Sequence, residues 1–252
     1  MINILLSGCN GKMGQVISRL AMEKEGLVIA AGFDINTSIQ NSYSVYSDLK
    51  NCDRQIDVII DFSHPSVLEG LLEFAVSKKI PAVIATTGLS SSQVKKLNDV
   101  SKTIPVFFSA NMSLGVNLLM DLVKKAAKVL EKDFDIEIVE KHHNQKIDAP
   151  SGTALAIADA INSVSEGEME YTYDRHSRRK KRGKNEIGIH AVRGGTIVGE
   201  HSVIFAGNDE IIEINHIAMS KEIFAVGSLN AAMFLYDKGP GMYNMNDLIQ
   251  SK

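Results

Sequence analysis

Residues 134–160 read FDIEIVEKHHNQKIDAPSGTALAIADA. The stretch opens with Phe134, Ile136 and Ile138 on one face and Asp135 and Glu137 on the other, the period-two alternation of a half-buried strand. It closes with a helix-forming run through Thr153, Ala154, Leu155, Ile157 and Ala158. Between the two lies a dense polar set: His142, His143, Lys146, Asp148, Pro150, Ser151, Gly152 and Thr153. Pro, Ser, Gly and Thr ahead of an apolar helical run mark a helix start. Free backbone N–H groups there, with two hydroxyls, make a site for an anion. Two imidazoles and an ammonium within five residues place proton donors beside it. The chemistry this implies is protonation of an anionic small molecule. A plain strand-to-helix turn with surface histidines and a solvated lysine explains each residue singly, but not the whole set at one strand end.

The chain has 252 residues, 44% hydrophobic and 23% charged, enough for one large domain or two modest ones. A net charge of −3 gives no general attraction to nucleic acid or anionic membranes. Cys9 and Cys52 are too few for a disulfide framework or a zinc site, so no metal is expected. No apolar run approaches the ~20 residues a membrane span needs. The opening residues meet a glycine turn without a basic lead, so no signal peptide is expected and a cytoplasmic protein is anticipated.

At the start of the chain, the apolar run Met1 to Ser7 leads into GCNGKMG at 8–14 and then a helical pattern through Val16, Ile17, Leu20 and Ala21. In that context spaced glycines (Gly8, Gly11, Gly14) let the backbone approach a pyrophosphate at a helix N-terminus. A second strand, Leu27 to Phe33, ends at Asp34, where a ribose hydroxyl would be held. Residues 36–55 read as an irregular connection. Strands at Ile56–Phe62, Pro81–Thr87 and Ile104–Ser109 alternate with helices, which predicts a parallel sheet covered on both faces. Thr86, Thr87, Ser109 and Asn111 fall at strand C-terminal ends, the ligand side of such a sheet. His64 reads as a helix-start residue.

A long helix from Ser113 to about Asp133 leads out of this pattern. After residue 160, three strand-like segments (186–193, 196–206, 210–219) lack intervening helices, so the second domain is expected to be α+β on a mainly antiparallel sheet. The basic run Arg175, Arg178, Arg179, Lys180, Lys181, Arg182 and Lys184 has no aromatic interleaving and reads as a solvated loop. The domains expected are 1–112 for dinucleotide binding and 113–221 for substrate binding and oligomerisation. Residues 222–252 return to the first.

These motifs together, GCNGKMG, ATTG at 85–88, SANMSLGVN at 109–117, EKHHNQKIDAPSGTA at 140–154 and RGGTIVGEH at 193–201, resemble the 4-hydroxy-tetrahydrodipicolinate (dihydrodipicolinate) reductase family of lysine and diaminopimelate synthesis. The resemblance covers nearly the whole chain. It implies a Rossmann-like domain followed by an α+β domain, NADH or NADPH as cofactor, a cyclic dicarboxylate substrate, and a homotetramer. It implies His142 and Lys146 as proton-donating residues, and His143, Ser151, Gly152 and Thr153 as substrate contacts. The cofactor contacts it implies are Gly8, Cys9, Asn10, Gly11, Lys12, Met13, Asp34, Ala85, Thr86, Thr87, Ser109, Ala110, Asn111 and Met112. Asn144 and Gln145 stand where many members carry Arg-His, which removes positive charge near the site. Lys221 stands where many carry Arg, which keeps the charge but loses the bidentate geometry.

Asp34 would meet the 2′-phosphate of NADPH, and no Lys or Arg occurs from Ile35 through Leu49. Lys12 offsets part of that repulsion, so both cofactors are expected to work with NADH modestly favoured. A rival class, a dinucleotide-sensing regulator that binds nucleic acid through the basic 175–184 loop, leaves the His-His-Lys set without a role. An aldehyde dehydrogenase with a cysteine nucleophile would need a better-placed thiol than Cys9 or Cys52.

Overall fold

In the computed structural model, which describes residues 1–251, the chain forms two compact units. One comprises Met1–Leu114 with the segment from Glu222 onward, and the other Gly115–Lys221.

The first unit begins β1 (Ile2–Ser7), α1 (Lys12–Glu23), β2 (Leu27–Phe33), β3 (Ser44–Tyr46), β4 (Val58–Asp61), α2 (Leu68–Lys78), β5 (Ala82–Ile84), α3 (Ser91–Val100) and β6 (Pro105–Phe108). Its strands are near-continuous apolar runs because both faces of the sheet are covered. Ile4 and Leu6 of β1 pack with Ile17 and Ala21 of α1. Leu5, between them, faces Leu68 and Leu72 of α2 and Leu97 of α3.

The second unit follows as α4 (Leu114–Leu130), β7 (Asp135–His142), α5 (Gly152–Asn162), β8 (Glu170–Thr172), β9 (Glu186–Arg193), β10 (Gly199–Ala206) and β11 (Ile211–Ala218). Its sheet has the order β11-β10-β7-β9-β8. Pairings of β10 with β7 and β11 are antiparallel, whereas β9 pairs in parallel with β7 and β8. The sheet is therefore mixed. Only β10 and β11 are consecutive strands paired antiparallel; β8 and β9, with no helix between them, run in parallel, and the chain that passes through α5 returns in the direction of β7. Ile136, Ile138, Ile187, Ile189, Val203 and Phe205 form its inner face against α4 and α5.

The chain then returns to the first unit as α6 (Glu222–Leu235), β12 (Gly241–Tyr243) and α7 (Met245–Gln250). Ala225 and Leu229 of α6 join the α1 layer, and β12 adds in parallel to β6. The completed sheet is parallel with order β12-β6-β5-β4-β1-β2-β3. Connections after β1 run first toward β3, then outward from β4, so the order reverses between β1 and β4, the position where such sheets hold ligands. The short strands β3, β8 and β12 lie in stretches whose sequence carries no strand pattern.

The basic run is a loop in which Arg178, Arg179, Lys180, Lys181 and Lys184 are exposed, but it is not wholly solvated, since Arg175 and Arg182 are drawn onto carboxylates of the sheet. Arg182 donates to Asp135 at 2.8 Å and Glu137 at 3.1 Å, and also to the Glu186 carbonyl. Arg175 bridges Glu137 and Glu186, and Arg178 pairs with Glu170. The alternation of β7 sends Asp135 and Glu137 to the face away from the apolar core. The guanidiniums gather on these carboxylates.

Candidate functional site

In the first unit, the Gly8 backbone takes φ +77°, and a Cβ at Gly14 would lie 2.2 Å from the Gly8 carbonyl oxygen. The turn therefore closes against α1 only with glycines. Gly11 is the N-cap of α1 and gives it no side-chain cap, which leaves the N–H groups of Lys12 and Met13 for an anion. Asp34 Oδ2 accepts the Asn10 N–H and Oδ1 the Asn36 N–H, both at 2.9 Å. These residues border a cavity of about 390 Å³ between the ends of β1, β2 and β4, walled by Phe33, Phe62 and Val67. A glycine turn, an open helix start and a carboxylate beside an apolar slot fit a dinucleotide.

Not every expected cofactor residue presents its side chain. Cys9 is fully buried, and burial, with Asp34 nearby, pushes its thiol up to about 12, which makes it unreactive. Thr86 is buried and donates its hydroxyl to Asp61 at 2.6 Å. Met112 is also buried, in the apolar layer with α6. The side chains of these three residues are turned into the protein. Ala85 is buried, while Thr87 and Ala110 are exposed. Ser109 donates its hydroxyl to the Asn111 carbonyl, and Asn111 Oδ1 accepts the Ser113 N–H. His64 caps a short 3-10 turn by accepting the Ser66 N–H at Nδ1, and it lines the cavity.

In the second unit, alternation along β7 carries Ile136 and Ile138 to Glu140 on the same buried face. Glu140 is completely buried, and four hydrogen bonds hold it. Arg193 Nη1 and Nη2 donate to its two oxygens at 2.7 Å each. His142 Nδ1 lies 2.6 Å from Oε2, and the Ser151 N–H donates to Oε1 at 2.9 Å. Desolvation pushes the Glu140 carboxyl up, but the donors from Arg193, His142 and Ser151 outweigh it and hold it below the usual carboxylate range.

Strand register assembles this group: His142 pairs with Arg193 on β9, and Glu140 with His201 on β10. The His142 and His201 rings meet edge to face at 5.3 Å. Ser151 caps α5, its hydroxyl accepting the Ala154 N–H at 3.1 Å and sharing a 2.9 Å hydrogen bond with His201 Nε2. Burial, and then the His142 charge, lower His201 to about 4, so it stays neutral. Lys146 Nζ is 2.8 Å from both oxygens of Asp148, and its N–H donates to the His143 carbonyl. Gly152, the first residue of α5, is exposed, and nothing lies near a Cβ built on it.

The structure thus joins His142 and Ser151 through Glu140, and Lys146 acts electrostatically on His201. Glu140, Arg193 and His201 were not among the expected site residues. The signal for Glu140 was the alternation itself, which extends from Ile136 and Ile138 to a carboxylate on the apolar face. Arg193 and His201 stand at the two ends of RGGTIVGEH.

Comparison with known proteins extends this picture over the full chain. The family model "Dihydrodipicolinate reductase, N-terminus" matches residues 2–112, and "Dihydrodipicolinate reductase, C-terminus" matches residues 115–249. A 4-hydroxy-tetrahydrodipicolinate reductase of Caldanaerobacter subterraneus is 56% identical over 250 residues, covering 99% of each chain. One from Clostridium tetani is 48% identical over 251 residues, covering 100% of this chain and 98% of that one. The solved structure of a dipicolinate-bound dihydrodipicolinate reductase from Paenisporosarcina sp. TG-14 shares the fold, with a TM-score of 0.83 at 23% identity over 98% of this chain and 99% of that one. On two family models that together span almost every residue, the chain belongs to the dihydrodipicolinate reductase family.

Proposed function

We propose that the protein reduces 4-hydroxy-tetrahydrodipicolinate, by way of dihydrodipicolinate, to tetrahydrodipicolinate in lysine and diaminopimelate synthesis. Reduced nicotinamide supplies the hydride. The turn Gly8–Met13, Asp34 and the backbones at Ala85–Thr87 and Ser109–Met112 hold the dinucleotide. His142, with Lys146, supplies the proton that the carbon next to the reduced position must gain. His143, Lys146 and the N–H groups of Gly152 and Thr153 take the two carboxylates, with Ser151 fixing the helix start. The observation that carries this reading is the single buried carboxylate, Glu140, that holds both the donor imidazole and the anion-binding helix start.

NADH and NADPH both serve, with NADH modestly favoured. The enzyme works in the cytoplasm; among the described residues no helix is long and apolar enough to cross a membrane. It assembles as a homotetramer through the second unit, whose edge strand β11 exposes Ile211, Ile212 and Ile217. Light scattering at micromolar concentration should give four chains per particle, and a monomer would remove that assignment. No nucleic acid partner is assigned, because Arg175, Arg178 and Arg182 of the basic run are paired with carboxylates of the same chain.

The test of the reaction is direct. Substrate is made in situ from pyruvate and aspartate semialdehyde by the preceding aldol condensation, and loss of reduced nicotinamide absorbance is followed. Oxidation that depends on both precursors is expected. No oxidation with either cofactor would reject the reading.

A further inference from the structure

An imidazole that passes a proton needs one nitrogen held and the other free, and the group at the held nitrogen decides which is which. His142 is held at Nδ1 by Glu140, 2.6 Å away. An ionised carboxylate only accepts hydrogen bonds. Glu140 already accepts two from Arg193 and one from the Ser151 N–H. The hydrogen between Glu140 and His142 therefore sits on Nδ1, and Nε2 is the nitrogen left for exchange. Nε2 lies beside Gly199, where a Cβ would come within 3.1 Å of it. Glycine at this strand position keeps side-chain bulk off the exchanging atom.

We propose that Glu140 is a positioning residue of the reduction. It fixes His142 as the Nδ1–H tautomer, so that Nε2 delivers the proton, and through Ser151 it sets that atom against the helix start that takes the substrate carboxylate. This rests on His142 being the proton donor and adds the residue that selects its reacting atom. In the step, the N–H bond at Nε2 breaks, a C–H bond forms on the substrate, and the imidazolium becomes neutral Nδ1–H imidazole. Solvent then returns a proton to Nε2, and Glu140 stays ionised throughout. Arg193 keeps it so, and its Nη2 also donates to the Asp148 carbonyl at 2.7 Å, which ties the Lys146 loop to the same carboxylate.

The charged and titratable groups around His142 are Glu140 on its own strand, Arg193 on β9, and His201 on β10. Lys146 in the loop and His216 on β11 act on His201 in turn. Among the described residues only Glu140 hydrogen-bonds the ring, so its replacement should act on the tautomer directly.

The test is nitrogen NMR on full-length protein with ¹⁵N-labelled histidine. Long-range proton–nitrogen correlations report the tautomer of each of the seven histidines, and His142→Gln identifies the His142 signals. Wild-type His142, once neutral, should show hydrogen on Nδ1 and a bare Nε2. In Glu140→Gln the carboxamide can donate to Nδ1, so hydrogen should move to Nε2. That variant's kcat should fall about a hundredfold, its KM for NADH should stay within about twofold, and the basic limb of its kcat–pH profile should move down by about one unit or more. A wild-type His142 protonated at Nε2 would overturn the proposal, even if Glu140→Gln does not fold. A Glu140→Gln enzyme with the wild-type tautomer and pH limb would overturn it as well. Wild-type turnover by His142→Gln would instead remove the proton-donor role, a failure that the tautomer spectrum distinguishes.

Discussion

His201 stands directly opposite Glu140 across the β10–β7 ladder, and both hold Ser151. The imidazole shares a hydrogen bond with the Ser151 hydroxyl and the carboxylate accepts the Ser151 N–H, each at 2.9 Å. Burial, then the charge of His142, lower His201 from 6.5 to about 4. Between those values the unfolded chain binds a proton that the folded chain refuses. Stability therefore falls as pH drops from about 6.5 toward 4, by a limit of about 3 kcal/mol, and this contribution levels off below 4. For a chain of this size that is a Tm loss of about 6–12 °C. His201→Gln should flatten the curve of Tm against pH over that window, as measured by scanning fluorimetry. Parallel curves for variant and wild type would show that His201 is not the group responsible.

The proposed donors answer to turnover. His142→Gln and Lys146→Ala should each lower kcat by about 10²-fold or more, the usual cost of a lost general acid, with cofactor affinity nearly unchanged. Lys146 is paired with the exposed carboxylate of Asp148, which must give way if a substrate carboxylate takes the ammonium. Such pairs contribute only about 0–1 kcal/mol. Asp148→Asn should therefore lower the substrate KM by no more than about fivefold. Steady-state kinetics on the three variants checks both points, and wild-type turnover by the first two would dismiss the assignment.

Cofactor preference should follow the Asp34 charge. At ~5 Å and an effective dielectric near 20, each unit-charge pair between its carboxylate and a 2′-phosphate repels by about 3 kcal/mol before screening. Lys12 offsets much of this, which leaves a preference for NADH of about tenfold in kcat/KM, or ~1.4 kcal/mol. Asp34→Ala should narrow or reverse the preference, and Lys12→Ala should harm NADPH more than NADH. Because Asp34 also holds the Asn10 and Asn36 N–H groups, Asp34→Ala should weaken both cofactors somewhat. A strong wild-type preference for NADPH would mean that the ribose pocket lies elsewhere.

The basic run divides into working and idle charges. Arg182 has a side chain only 16% exposed and bonds two carboxylates. Arg182→Ala leaves the half-buried Glu137 short of a donor and should cost about 2–4 kcal/mol. Arg179, exposed, should cost no more than about 0.5 kcal/mol when replaced by Ala. Urea unfolding separates the two, and equal losses would contradict the ion-pair account.

Much of this was legible in the chain because the decisive patterns are local. GCNGKMG between an apolar run and a helical one gives the turn, and DAPSGTA gives the start of α5. Three-residue strands such as Ser44–Tyr46 and Gly241–Tyr243 are too short to show alternation; pairing with a neighbour makes them strands, not their own residues. The cofactor set was read by position, which cannot tell a backbone contact from a side-chain one. Cys9 and Thr86 consequently turned out to face inward. Arg193 and His201 needed the register of three strands before either could be placed beside Glu140.

The return of the chain to its first unit governs the order in which the protein can be made. Residues 115–221 are complete as a unit while the last segment is still being synthesised. Until β12 emerges, β6 remains an open edge, and the α1 layer lacks Ala225 and Leu229. On the ribosome the inserted unit can therefore finish folding before the sheet that precedes it in sequence, reversing the usual N-terminal-first order. A product broken off before β12 would carry an unpaired parallel edge at β6, a template for pairing with another chain.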